Sequence, residues 1–307
     1  MAEIEIQLSE HQRRVPIIVA FSSISRDFIS RCHSSSYERV GGSCIYVGSL
    51  LAALGVDVVP VGSIGCDLDL KEVLRAFEGS EASSHLQQSR CRSTHVHLKY
   101  KSEMLVDVRV RWGEPYNFTE EALAAIRGAD YLHIGPETYE NQLLAAEHAA
   151  KSKVPVLFDP HADYNEDGLE RLSDLMRHVS IFFCNEAESA ALTGTTDPVA
   201  ASKAVLGLGV ENFCLMKGNS GAIWIGRDGT IINVPAFITR RPADSVGAGD
   251  SFQAGFLFGQ LIGMDLYSSL RAAAFIASRA IEERDSYGIY RINSLRLGPS
   301  IRGRAGE

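Results

Sequence analysis

The chain has 307 residues, and 38 acidic against 30 basic side chains leave it a net charge of −8. That acidic balance excludes general nucleic-acid binding and docking to an anionic membrane surface, since both need a basic face. Hydrophobic residues at 45% and charged residues at 22% exclude wholesale disorder, and a chain this long buries roughly three quarters of its extended surface without staples. No apolar run reaches the roughly 18 residues of a membrane span. Met1 to Arg14 carries no apolar stretch of the secretory kind, so a cytoplasmic location is expected. Cys32, Cys44, Cys66, Cys91, Cys184 and Cys214 form no CxxC pair and read as reduced thiols, small buried hydrophobes rather than metal ligands.

Short β-branched runs alternate with helical patterns, which predicts a largely parallel sheet covered by helices. Val15–Phe21 reads as the first buried strand. Ser43–Leu54 is apolar, helical in period and stopped by Gly55. A strand over Val56–Val61 and a helix over Leu70–Phe77 follow. Thr94–Arg111 then changes texture: Val106, Val108 and Val110 alternate with charges, the two-faced pattern of an exposed antiparallel layer. Strands over Tyr131–Ile134, Val154–Phe158, Ile181–Phe183 and Asn212–Met216 are separated by helices over Tyr139–Lys151, over Leu169–Val179 and from Glu186. Asp228-Gly229 marks a hairpin between Ala222–Gly226 and Thr230–Val234. Two long helices close the pattern, near Gly249–Ile262 and Leu266–Glu283. One α/β unit over 14–295, an antiparallel layer within 92–112 and a loose tail over 296–307 are expected.

The strongest chemical signal is Asp244-Ser245-Val246-Gly247-Ala248-Gly249-Asp250, followed by the apolar helical run Phe252–Leu261. Glycines let backbone N–H groups approach a ligand closely, and a helix starting there adds unpaired donors and a positive dipole end that favour phosphate. A carboxylate beside a bound phosphoryl group, as at Asp250, accepts the proton of an attacking hydroxyl. Asn185 and Glu188, three apart, share a helix face and offer an amide oxygen and a carboxylate, donors that suit Mg²⁺. The plainer reading makes Asn185 an N-cap.

The first of these segments resembles the second signature of the ribokinase-like, or phosphofructokinase-B type, carbohydrate kinases, with Ser245 in place of Thr. Gly41-Gly42 before the first long helix, Gly62-Ser63-Ile64-Gly65-Cys66-Asp67, Asn185-Glu186-Ala187-Glu188 and Lys217-Gly218-Asn219-Ser220-Gly221 resemble the family's other landmarks, in order. The resemblance implies a central mostly parallel sheet with helices on both faces plus a small β-lid, which the Thr94–Arg111 layer fits. It implies ATP as donor with Mg²⁺, Asp250 as base, and Gly247, Ala248 and Gly249 as anion hole. Asn185, Lys217, Gly218, Gly221, Ser245 and Gly288 would contact the nucleotide, and Glu188 with Asn185 the metal. Asp244 would help hold a monovalent cation such as K⁺, with Val246 where the family often has a polar residue.

For the acceptor, the resemblance implies Asp27 on substrate hydroxyls and Gly41-Gly42 against the substrate. Ribokinases carry Asn four residues after the second glycine, and here that residue is Tyr46. This departure, with Gly135-Pro136, resembles more the branch holding inositol and other cyclitol kinases. Arg109 and Arg111 lie on the lid, where a solvated face competes with substrate contact. Lids pair in many members, so a homodimer is expected. Asp163–Gly168 matches the start of an EF-hand loop, but it follows a strand and is read as a polar loop. His95 and His97 alternate without a third ligand, which argues against zinc.

The expected activity is therefore ATP-dependent phosphorylation of a small polyol, a sugar or a cyclitol. Two rivals remain. A nucleoside kinase would show a wider, more apolar acceptor pocket, with Tyr46 or Phe28 against the base. A non-catalytic sugar or nucleotide sensor would have no need of Asp250.

Overall fold

The computed structural model describes residues 16–31, 36–78, 84–101, 104–160, 168–238 and 246–282. β1 (Ile17–Phe21) is apolar end to end because it runs through the middle of a nine-stranded sheet covered on both faces. The chain leaves that sheet for β2 (Ser25–Arg31) and β3 (Tyr37–Gly41), turns at Gly42 into α1 (Ser43–Ala53), and returns in β4 (Asp57–Ile64). α2 (Leu70–Arg75), β5 (His85–Gln88), β6 (Thr94–Lys101) and β7 (Met104–Arg111) follow. Strand and helix then alternate through α3 (Glu120–Gly128), β8 (Tyr131–Ile134), α4 (Tyr139–Lys151), β9 (Val156–Phe158), α5 (Ser173–Met176), β10 (Ile181–Asn185), α6 (Glu186–Thr193), α7 (Pro198–Gly207) and β11 (Asn212–Met216). The hairpin of β12 (Ala222–Gly226) and β13 (Ile231–Val234) precedes α8 (Ala248–Leu261) and α9 (Leu266–Glu282).

The large sheet has the order β13-β12-β11-β10-β9-β8-β1-β4-β5, parallel except for β12 and β13 at one edge. One face is covered by α1, α8 and α9, with Ile45, Leu50, Phe256 and Leu270 in its core. The other lies under α3, α4 and α7, with Ile126, Ala146 and Val205 buried. β1 sits between β4 and β8, so the chain winds away from it in both directions. A crevice opens beyond the carboxyl ends of strands at such a reversal.

The small sheet has the order β3-β2-β6-β7. The sequence pattern exposes only its outer half, the β6–β7 hairpin. The inner half comes from residues 25–41, to which the sequence pattern assigned no element, and β2 pairs with β6 in parallel. Asp27 therefore lies just beyond β1, within β2. Ile29, Leu98 and Tyr100 form one apolar face, packed with Tyr46 of α1 and with Val246. The opposite face carries Phe28 stacked on His97 at 4.5 Å, and the exposed pair Arg109–Asp107 at 3.0 Å. Arg109 is thus committed to the solvated face.

Other boundaries moved for local reasons. α3 is started by the Thr119 side chain accepting from Ala122 N, and α7 by Asp197 with Pro198 in the first turn. Neither stood out from hydrophobic periodicity. Leu169–Val179 divides into a 3₁₀ turn, Leu169–Leu172, and the single turn of α5. Cys44, Cys184 and Cys214 are buried as expected, but Cys66 and Cys91 are exposed, in loops leading from β4 and β5. Cys32, the EF-hand-like 163–167 stretch and the 296–307 tail lie outside the described residues.

The aromatic packing of α8 against the sheet yields a direct test. Phe256 is almost fully buried, with its ring 5.2 Å from Trp224 and 5.7 Å from Phe183. Truncation leaves a cavity in a layer that cannot collapse around it. Phe256→Ala should cost about 3–5 kcal/mol in a urea melt, and a loss below about 1 kcal/mol would show that α8 is not held this way.

Candidate active site

Between the two sheets lies a cleft of about 680 Å³. Its floor is made where the strands of the large sheet end: Ser23 beyond β1, Asp159 beyond β9, Asn185 closing β10 and Gly218 beyond β11. Gly247 to Asp250 form one wall, and Val96, Leu98, Tyr100, Val110 and Trp112 of the small sheet and its exit form another. The architecture thus places polar strand ends opposite an apolar roof.

α8 begins at this cleft. Its N-cap, Gly247, has φ 77° and ψ 8°, a left-handed conformation open to glycine at little cost. No side chain caps the helix, so its first turn presents backbone N–H groups and the dipole's positive end to the cleft. Asp250 stands in this turn. Its Oδ1 is sealed from solvent and has no hydrogen-bond partner among the described residues. Burial, with help from the charges of Asp159 and Asp27, pushes its carboxyl from the usual 3.8 up to about 7; the Ser43 hydroxyl and Arg39 oppose the shift.

Asn185 is the N-cap of α6, as the plainer sequence reading held. Its side chain accepts from Glu188 N at 2.9 Å, and Glu188 Oε2 accepts from Asn185 N at 2.9 Å, a complete capping box. The same two residues nonetheless line the cleft. Burial and the neighbouring charges of Asp159 and Asp250 push the Glu188 carboxyl up to about 8. Sequence reasoning missed Asp159. Its Oδ2 accepts from Gln253 Nε2 at 2.5 Å, and Gln253 Oε1 meets His133 Nε2 at 2.8 Å, both partners fully buried. The available signal was an acidic residue directly after the apolar strand Val156–Phe158, as Asn185 follows Ile181–Cys184. The charge of Asp159 raises the proton affinity of both Glu188 and Asp250. Glu188 and Asn185 offer hard oxygen donors of the kind Mg²⁺ takes, while among the described residues no three acidic, histidine or cysteine side chains are grouped as a metal cluster.

At the other end of the cleft, Asp27 is buried on β2. Ser25 Oγ donates to its Oδ1 at 2.6 Å and Tyr46 Oη to its Oδ2 at 2.5 Å. Gly41 must be glycine here, because a Cβ would lie 2.0 Å from Asp27 Oδ2. Gly42 lines the cleft at φ 99° and caps α1. Phe28 faces away, on the opposite side of the small sheet, and so cannot stack on a ligand in this cleft.

Of the residues expected at the site, Asp27, Gly42, Tyr46, Asn185, Glu188, Gly218, Gly221, Gly247, Ala248, Gly249 and Asp250 line one cleft. Gly41 supports it from below. Lys217 is not among the lining residues; its N–H closes the Gly218–Gly221 turn by donating to Gly221 O at 2.7 Å. In that turn Gly221 has φ 87°, and a Cβ would come within 2.0 Å of Val234 O. Asp244, Ser245 and Gly288 lie outside the described residues.

This fold is shared with known proteins. Residues 18–290 match the model of the pfkB family carbohydrate kinases, and the chain belongs to that family. It is a kinase of the sugar and nucleoside class. The chain is 28% identical over 278 residues to a cytidine kinase of Thermococcus kodakarensis, covering 89% of this chain and 98% of the relative. It is 25% identical over 239 residues to an uncharacterized sugar kinase of Archaeoglobus fulgidus, covering 76% and 94%. Arabidopsis thaliana ribokinase, solved with ribose and ATP, superposes with a TM-score of 0.73 at 20% identity, over 88% of this chain and 94% of that one.

The raised proton affinity of Asp250 makes a stability prediction. Between about pH 4 and 7 the folded chain holds a proton that the unfolded chain has released, so this group's contribution falls as pH rises through that window. Above it the full penalty of a buried charge remains. Asp250→Asn removes that penalty, so its melting temperature should exceed wild type by several degrees at pH 8 and by little at pH 4. An offset independent of pH would show that charge burial at Asp250 is not the cause.

Proposed function

We propose that the chain transfers the γ-phosphoryl group of ATP to a hydroxyl of an acceptor seated on Asp27, with Asp250 as general base. The observation that carries this reading is the placement of Asp250, a carboxyl with a proton affinity near neutral, in the uncapped first turn of the helix that faces Asp27 across the cleft. At neutral pH such a group can hold the proton of the attacking hydroxyl in the transition state. The N–H groups of Gly247, Ala248 and Gly249 would take the developing charge on the transferring phosphoryl oxygens. Asn185, Gly218, Gly221 and Ser245, with Lys217 and Gly288, would hold the nucleotide. Glu188, Asn185 and the newly identified Asp159 would hold Mg²⁺, which supplies charge neutralisation along the phosphates. Asp244 would hold a monovalent cation, read as a higher kcat in K⁺ than in Na⁺. The apolar inner face of the lid would exclude water from the reacting hydroxyl.

The acceptor class follows from the two ends of the pocket. Asp27 with its hydroxyl partners suits vicinal hydroxyls. Val96, Leu98, Tyr100, Val110 and Trp112 form an apolar wall larger than a bare pentose or cyclitol would cover. That combination favours a nucleoside, and similarity to a cytidine kinase supports it. A free sugar or cyclitol is the second reading, favoured by Tyr46 replacing the ribokinase Asn. The two edge strands of the lid, β3 and β7, and exposed Trp112 directly after β7 suit pairing with a second copy, so a homodimer is proposed.

An ADP-release assay over ribose, myo-inositol, cytidine and inosine decides the acceptor. A nucleoside should lead in kcat/KM. If ribose or myo-inositol exceeds both nucleosides by tenfold, about 1.4 kcal/mol in transition-state binding, the nucleoside reading is wrong. Asp250→Asn should lower kcat by about 10²–10⁴-fold while ATP still binds; near-normal turnover would remove Asp250 as base. Asp159→Asn and Glu188→Gln should each shift the Mg²⁺ activation curve to higher concentration, and curves that overlay wild type would assign the metal elsewhere. Light scattering at high concentration should give twice the 33.5 kDa chain mass, and a monomer mass would exclude the dimer.

A further inference from the structure

We infer that Arg39 is a positioning residue for the acceptor carboxylate, acting on Asp27 through the hydroxyl of Tyr46. What Asp27 binds rests on the kinase reading above; the linkage itself does not. Asp27 and Arg39 are direct partners in the antiparallel β2–β3 ladder, so one strand register sets both. Tyr46 reaches them from α1, one turn beyond Gly42. Its Oη accepts from Arg39 Nε at 2.9 Å and donates to Asp27 Oδ2 at 2.5 Å. The guanidinium carbon also lies 5.0 Å from the centre of the Tyr46 ring. All three side chains are buried, Arg39 the least so at 9% exposed.

A phenol has one proton. That of Tyr46 is directed at Asp27, so Tyr46 serves the acceptor by fixing Asp27 rather than by donating to a substrate hydroxyl. A hydroxyl that accepts from a cation is polarised and donates more strongly, and a chain of such bonds is stiffer than its members taken singly. Ser25 holds the other carboxylate oxygen, and the Gly41 backbone forms a floor that admits no Cβ. The carboxylate plane is thereby fixed on three sides. Arg39 and Asp27 belong to the lid sheet, whereas Tyr46 belongs to the large layer. The linkage therefore also ties the root of the lid to the helix that begins at the cleft. Arg39 has a second consequence: its charge reaches Asp250 and opposes the upward push on that carboxyl.

The test combines a stability cycle with kinetics on the full chain. Arg39→Met, Asp27→Asn and their double variant are melted in urea, in wild-type and Tyr46→Phe backgrounds. Residues that share a network are non-additive, so the double variant should lose less than the sum of the singles, and Tyr46→Phe should remove at least half of that coupling. Arg39→Gln, which removes the charge but keeps a polar side chain, replaces Arg39→Met if the latter does not fold. With the best acceptor of the ADP-release assay, Tyr46→Phe and Arg39→Met should each raise acceptor KM about tenfold, or about 1.4 kcal/mol. KM for ATP should stay within twofold, kcat should change less than acceptor KM, and Arg39→Lys should recover most of the loss. Additive melts overturn the linkage whether or not the chain is a kinase. Coupled melts with unchanged acceptor KM in an active enzyme overturn the positioning role. If wild type phosphorylates no acceptor, the kinase reading fails and the melts still decide the linkage.

Discussion

Crowding of negative charge at the carboxyl ends of the parallel strands is the constraint on which the rest of this structure depends. Asp159, Glu188 and Asp250 arrive from three different parts of the chain, and the charge of Asp159 raises the proton affinity of Glu188 and Asp250 on top of the cost of burial. No local interaction would bring them together, since like charges in a dry environment repel. They are held by packing elsewhere. The aromatic stack of Phe183, Phe252, Phe256 and Trp224 fixes α8 on the sheet. The capping box fixes the start of α6, and the buried Gln253–His133 pair fixes Asp159. Negative charge crowded at the end of a rigid layer suits binding of a cation, because the cation relieves the repulsion.

The positive side of that balance comes from the backbone. Gly247 starts α8 without a capping side chain, so the helix meets the cleft with its first-turn donors. Asp250 occupies the same turn, where the dipole favours a carboxylate and burial disfavours it. Burial wins, as the shift to about 7 records. A base of that affinity is more useful near neutral pH than an ordinary aspartate. Glycine has a different use beneath Asp27: Gly41 is required there by contact rather than by conformation, since the carboxylate rests directly on its Cα.

The small sheet shows how one layer meets two requirements. Its inner face shares a small apolar cluster with α1 and with Val246, which couples the small sheet to the start of α8. Its outer face is polar and aromatic by turns, with Arg109 and Asp107 paired in solvent. Val246 was notable in sequence as the apolar replacement of a commonly polar residue. In the structure its side chain completes the apolar cluster under the small sheet, so the change of residue type follows the apolar roof of the cleft.

Much of this was legible in sequence. Buried parallel strands declare themselves by unbroken β-branched runs, and the glycine-rich entry to α8 declares itself by composition, because both are consequences of local backbone geometry and burial. The order of the motifs fixed the family and placed most of the residues that line the cleft. Other features depend on distant partners. β2 and β3 alternate too weakly to read as strands, and they exist because β6 pairs along the edge of β2 and Tyr46 packs on its apolar face. Asp159 looks like any loop aspartate until Gln253, 94 residues away, holds it. Tyr46 reads as a possible substrate contact, whereas its hydroxyl belongs to Asp27 and Arg39. A sequence determines what each segment can bury and where its backbone can turn; which polar groups then face one another is decided by the register of strands and the packing of layers, since hydrogen bonds and charge repulsion act across space and not along the chain.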